Sequence, residues 1–110
     1  MKICIPAKGE TPNAQIDSTF GRCQYLLFTD TENSTTYQHE NTYREDNSGV
    51  GTQVAQAVLA EGAEAVLSRE IGPKAQEVLK AGNISAYRVD DMDIRDAVEK
   101  FKNNELDPLY

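Results

Sequence analysis

Three side chains in this 110-residue sequence could ligate a soft or borderline metal: Cys4, Cys23 and His39. Thiolates are the standard ligands of iron–sulfur clusters, and imidazole suits iron. Arg22 stands next to Cys23, and a neighbouring guanidinium favours the deprotonated thiol. Cys23 is therefore the first candidate metal ligand and His39 the second. One cysteine holds no cluster alone, so the other reading of Cys23 is a small residue buried where a strand begins. For His39 the other reading is an edge-strand histidine open to water. Cys4, in the middle of an apolar run, is read as a core thiol. Arg22 either clamps an anionic ligand or fixes its own loop through a carboxylate such as Asp17.

A second kind of chemistry is suggested by Gly72-Pro73. Glycine at a helix N-cap offers no side-chain oxygen and proline no N–H, which leaves the amides of Lys74 and Ala75 free to meet an anion near Arg69. Water is the alternative partner, since glycine is a tolerable cap. The helix expected from Val50 has Asp46, Asn47 and Ser48 at hand for capping. The last helix has Asp90, Asp91 and Asp93, read as caps rather than a divalent-metal site. Gly49-Val50-Gly51 lacks the third glycine of a dinucleotide fingerprint. It is read as a place where the helix approaches the sheet closely.

These residues need elements to position them. Lys2 to Pro6 reads as a strand ended by proline. Cys23 to Thr31 has apolar residues on both faces, as a strand in the centre of a sheet would. Thr35 to Asn41 is β-prone but polar, as expected of an edge strand joined to it by a hairpin. Val50, Val54, Val58 and Leu59 recur at helical spacing up to Gly62. Ala63 to Ser68 then reads as a buried strand, Pro73 to Ala81 as a helix, Ile84 to Val89 as a strand, and Ile94 to Phe101 as an amphipathic helix. The order β-β-β-α-β-α-β-α predicts a three-layer α/β/α fold, with a mixed five-stranded sheet and helices on both faces. Four connections, residues 7–22, 42–49, 69–72 and 90–93, then fall at one sheet edge, where ligands of such folds gather.

Composition narrows the function. With 39% hydrophobic residues, the chain is expected to be one domain, 1–110, with a single core. The net charge of −7 argues against a nucleic-acid partner. No apolar run is long enough to span a bilayer, and MKICIPAKGE lacks a signal-peptide core, so neither membrane nor export is expected. The expected location is the cytoplasm, with both thiols reduced. Catalysis is not expected, because no nucleophile–base pair or carboxylate cluster emerges from the spacing. A two-metal nuclease would need a carboxylate on the first strand, and Lys2 to Pro6 has none.

Thr19-Phe20-Gly21-Arg22-Cys23 before a Tyr/Leu/Phe strand, GVGTQVAQAVLAEGAEAVLS (49–68) and IGPKAQEVLKAGNISAY (71–87) resemble the dinitrogenase iron-molybdenum cofactor biosynthesis family. That family includes NifX, NafY and the C-terminal domain of NifB. The likeness runs through nearly the whole chain to Asn104-Glu105-Leu106. It implies a ribonuclease H-like fold and a non-catalytic binding protein. Its cargo would be an iron-sulfur cluster, the iron-molybdenum cofactor or a precursor, with a possible protein partner in cofactor assembly. Two departures stand out. Thr19 occupies a place where the family often has histidine, and Ser68-Arg69-Glu70-Ile71 replaces a small, glycine-bearing turn. The resemblance leaves room for a second function: a regulatory or scaffold domain that binds a small anion or a protein partner, with no role in nitrogen fixation. On either reading the expected ligand-binding set is Arg22, Cys23, His39, Arg69, Gly72, Lys74 and Ala75.

Overall fold

A computed structural model describes residues 1–110. Its elements follow the expected order: β1 (Lys2–Ala7), β2 (Tyr25–Asp30), β3 (Thr36–Glu40), α1 (Val50–Ala60), β4 (Ala65–Ser68), α2 (Pro73–Ala81), β5 (Ser85–Arg88) and α3 (Ile94–Lys102). The sheet order is β3-β2-β1-β4-β5. β1 runs antiparallel to β2 and parallel to β4, and β4 runs parallel to β5. The sheet is therefore mixed, and with its helices it forms an α/β fold of the expected type.

The central place belongs to β1, not to β2 as the apolar pattern suggested. β2 lies between β1 and the edge strand β3. Both strands are covered on both faces, so burial alone does not rank them. The crossover through α1 returns β4 to the side of β1 that the hairpin leaves free, and this sets the order. β3 is polar and exposed along its length apart from half-buried Tyr37, as an edge strand should be.

Side-chain alternation splits the core into two layers. On one face Cys4, Leu26, Phe28, Val66 and Ala86 pack under α1 and α2 through Val50, Val54, Val58, Ala75 and Leu79. On the other, Ile3, Ile5, Leu27, Ala65 and Leu67 pack under α3 through Ile94 and Ala97. Each fully buried large aliphatic or aromatic side chain contributes about 1.5–3 kcal/mol of burial free energy.

The C-terminal residues close the β5 side of the sheet. Arg88 N donates to Asp107 O and Leu109 N to Ala86 O, both at 2.8 Å, and Tyr87 bridges Pro108. The Tyr110 hydroxyl donates to Ile84 O, and the Lys80 ammonium lies 4.8 Å from the Tyr110 ring centroid.

Candidate functional site: a cleft between two helix N-termini

The loop-bearing edge of the sheet divides in two. On the α3 side, residues 12–16 are stitched to residues 92–95: Ile16 N donates to Met92 O, Ile94 N to Ala14 O and Arg95 N to Pro12 O. This half is closed by backbone pairing. On the side of α1 and α2 the loop Thr19–Arg22 faces both helix N-termini across a cleft of about 580 Å³.

Glycine makes the cleft possible. A Cβ on Gly21 would lie 2.9 Å from the Cα and the N of Gly51, so the loop touches the first turn of α1 backbone to backbone. Gly51 in turn faces the Ala75 Cβ of α2 at ordinary contact distance. The expected approach of this glycine segment to the sheet is corrected: it serves the contact of α1 with the loop and with α2.

Neither helix start carries a side-chain cap. Gly72, extended at φ −63° and ψ 158°, precedes α2, and Pro73 begins it. Gln76 N bonds back to Gly72 O, while Lys74 N and Ala75 N have no partner in the chain. The expected difference at α1 is corrected. Its N-cap is Gly49, left-handed at φ +71°, and neither Asp46, Asn47 nor Ser48 caps it. Gln53 N bonds to Gly49 O, and the amides of Val50, Gly51 and Thr52 are left over. Only α3 is capped by a side chain, Asp93 accepting from Asp96 N at 2.8 Å. Two sets of free amides and two positive dipole ends therefore meet at one cleft, an arrangement that attracts anions.

The predicted ligand set separates. Arg22, Gly72, Lys74 and Ala75 line the cleft together with Thr19, Phe20, Gly51 and Glu70. Arg69 lies half-buried just past β4 and is not part of the lining. His39 is on the exposed strand β3, its Nε2 3.7 Å from Glu61 Oε1 just past the C-terminal end of α1. There it joins an aromatic group with Phe28 and Tyr37. Tyr37 accepts from Lys2 Nζ at 2.8 Å and donates to Glu61 Oε1 at 2.9 Å.

Cys23 is fully buried beneath the loop. Burial, then the nearby Asp17 carboxylate, push its thiol up to about 12. The expectation that Arg22 supports a thiolate is corrected. The guanidinium donates to Arg44 O at 2.7 Å and Asp46 O at 3.1 Å, tying its loop to the segment before α1. Arg22 is not paired with Asp17 either. That carboxylate accepts from Thr19 N, Thr19 Oγ1 and Gln24 N. Cys4 is also fully buried, its thiol raised well above normal by the same loss of water.

Asn41 is a positioning residue that sequence reading missed. Buried at the end of β3, it donates from Nδ2 to Gly21 O and Cys23 O, both at 2.9 Å, with Cys23 Sγ at 3.7 Å. Its Oδ1 accepts from Tyr43 N. An asparagine closing a strand before a turn has no sequence mark of such a role. No three His, Cys, Asp or Glu side chains come together as a metal-holding group, and no helix is long and apolar enough to cross a membrane.

Known proteins match this architecture. The family model described as dinitrogenase iron-molybdenum cofactor covers residues 1–104. An uncharacterized protein of Methanocaldococcus jannaschii is 31% identical over 110 residues, covering 97% of this chain and 90% of that protein. The apo form of the orange protein from Desulfovibrio gigas superposes with a TM-score of 0.94 at 25% identity, over 97% of this chain and 91% of its own. A putative NifB protein from Thermotoga gives 0.87 at 29%, over 98% and 92%. With the family model matched over nearly its full length and a relative 31% identical across 97% of it, the chain belongs to the dinitrogenase iron-molybdenum cofactor family.

Proposed function

We propose that this chain is a non-catalytic carrier that takes an iron-sulfur cluster or an iron-molybdenum cofactor precursor into the cleft between α1 and α2. The observation that carries the reading is the convergence of two uncapped helix N-termini on one cleft that also holds Lys74 and Arg22. Metal–sulfur clusters of this class are anionic, and free amides with a lysine suit them. Family membership supports the same cargo.

The donor set limits how the cargo is held. Without a group of three ligating side chains, the chain does not build a cluster from loose ions. It receives a preassembled one, which implies a protein partner that delivers or accepts it. Hydrogen bonds from the amides of Val50, Gly51, Lys74 and Ala75 and the charge of Lys74 then do the holding. Cys23 stays protonated at neutral pH while it is buried, and it becomes a ligand only if the loop held by Asn41 lifts.

The test is anaerobic purification followed by iron, molybdenum and sulfide analysis and an absorption spectrum, for the parent chain, Lys74→Ala and Cys23→Ala. Expected are cargo on the parent, reduced cargo on Lys74→Ala and retained cargo on Cys23→Ala. Cargo retained by Lys74→Ala and lost by a folded Cys23→Ala would replace the amide cleft with a thiolate site. The absence of a three-ligand group also favours a second reading, a regulatory or scaffold domain that binds a small metal-free anion at the same amides. Binding of sulfate with no uptake of any cluster selects it.

A further inference from the structure

We propose that the outer rim of β3 is a homodimer surface, to which a second copy of this chain adds its own β3 antiparallel, in the register centred on Gln38. The inference is independent of the cleft, which lies at the starts of α1 and α2.

The rim is open and regular. Asp30 N donates to Thr35 O and Asn41 N to Gln24 O. Alternation along an antiparallel ladder then turns the N–H and C=O of Tyr37 and His39 towards β2 and those of Thr36, Gln38 and Glu40 outward. No other part of the chain takes the outward groups up. The register with β2 runs unbroken from Thr36 to Glu40, so no bulge interrupts the rim, and the strand has no proline or lysine to deter a further strand. At the opposite side of the sheet, by contrast, β5 is covered by residues 107–109.

One register lets the strand pair with the whole of itself. Centred on Gln38, it sets Thr36 against Glu40 of the second copy and Gln38 against Gln38, and every outward group has a partner. A slip of two residues one way sets Glu40 against Ser34, which has already turned out of the strand at φ +61°. The other way, Thr36 faces Thr42, beyond the end of β3. In the central register Tyr37 faces His39 of the second copy on the α1 side, at a non-hydrogen-bonded pair, where side chains come closest. The aromatic group of Phe28, Tyr37 and His39 then continues across the axis. On the α3 side Glu40 arrives beside Thr36 of the second copy, which lines a groove with Arg95, Glu99 and Lys102. Asp30 in that groove already takes the N-terminal ammonium, while Glu40, Arg95, Glu99 and Lys102 have no ion pair in their own chain. An unpaired acid thus meets two unpaired cations and one acid. The net charge of −7 on each copy opposes contact, which sets the expected Kd at about 10–500 µM.

The test is sedimentation equilibrium of the parent chain, Gln38→Pro, Glu40→Lys and Glu40→Lys/Arg95→Glu, with amide hydrogen exchange of the parent at low and high protein concentration. Expected for the parent is a monomer–dimer equilibrium in which protection of Thr36, Gln38 and Glu40 rises with concentration, while that of Tyr37 and His39, already bonded to β2, stays level. Gln38→Pro removes an outward N–H without touching the ladder to β2, and should weaken the dimer at least about tenfold. Glu40→Lys lowers the net repulsion between copies, yet should weaken the dimer about threefold, and adding Arg95→Glu should restore it. Should Gln38→Pro not fold, this charge exchange carries the test. A parent chain that stays monomeric up to about 1 mM overturns the inference. So does protection that rises away from β3, a dimer insensitive to a folded Gln38→Pro, or a Glu40→Lys dimer that Arg95→Glu does not restore.

Discussion

The two helix layers treat their N-termini in opposite ways. At α3, Asp93 caps the first turn and the loop ahead of it is stitched to residues 12–16. At α1 and α2, glycines precede the first turns and no side chain satisfies the leading amides. A side-chain cap stabilises a helix by a few tenths of a kcal/mol over glycine, so glycine caps at two of three helices forgo only a little stability. The uncapped ends face each other across a cleft, whereas the capped end faces paired backbone. One layer closes its helix start with a side chain and paired backbone, and the other leaves its leading amides open to the cleft.

That contrast is broken most severely at Gly21. A Cβ there meets backbone atoms of α1, which cannot turn aside as a flexible side chain would. Gly21→Ala is expected to lose about 2–3 kcal/mol in urea denaturation and to abolish anion-dependent shifts at Lys74 and Ala75. The same substitution at Gly72, where a new Cβ meets nothing within 4 Å, should leave stability nearly unchanged.

The buried thiol under the loop gives a pH signature. Cys23 remains protonated in the folded chain up to about 12, while in the unfolded chain it ionises near its ordinary value of 9.0. Above that ordinary value the unfolded state binds fewer protons, so this contribution to stability is present in full below pH 9 and falls as the pH rises towards 12. Urea denaturation from pH 8 to pH 10.5 should show a shallower decline for Cys23→Ala than for the parent. Parallel curves would place the thiol in water.

The capped end supplies a smaller, opposite control. Asp93→Ala should cost about 1 kcal/mol and leave sulfate-dependent shifts in the cleft unaltered. Smallest of all, Gly72→Ser puts a hydroxyl at an extended N-cap with room for it. A gain of a few tenths of a kcal/mol is expected, together with weaker sulfate binding, because the new oxygen occupies an amide the anion would use. Stronger binding in this variant would show that the free amides are not what holds the anion.

Much of the scaffold was legible in the sequence because it rests on local rules. The span Pro73–Ala81 is found as expected, since proline at its start and Gly82 past its end mark both limits. The polarity of Thr36–Glu40 places it at an edge. The site was legible only in part. Gly72, Lys74 and Ala75 announce themselves through missing cap chemistry, and that signal is local. Cys23 and Arg22 are decided by long-range contacts: an asparagine 18 residues away and the carbonyls of Arg44 and Asp46. His39 illustrates the same limit, since its partner Glu61 reaches it only after α1 packs on the sheet. The uncapped state of α1 was hidden by three capable residues before Gly49, because a left-handed glycine turns the chain and takes their side chains out of line.

The pairing of the C-terminal residues with β5 also governs how copies of this chain could meet. It uses the outward hydrogen-bonding groups of Ala86 and Arg88, and it puts Pro108, which has no N–H, on the new rim. The sheet then has one open side, β3. Growth of a continuous sheet by repeated strand addition requires a free rim at both ends of every copy. Residues 107–109 thus occupy within the chain the hydrogen-bonding rim that β5 would otherwise offer to a strand of another molecule, and leave β3 as the edge that faces outward.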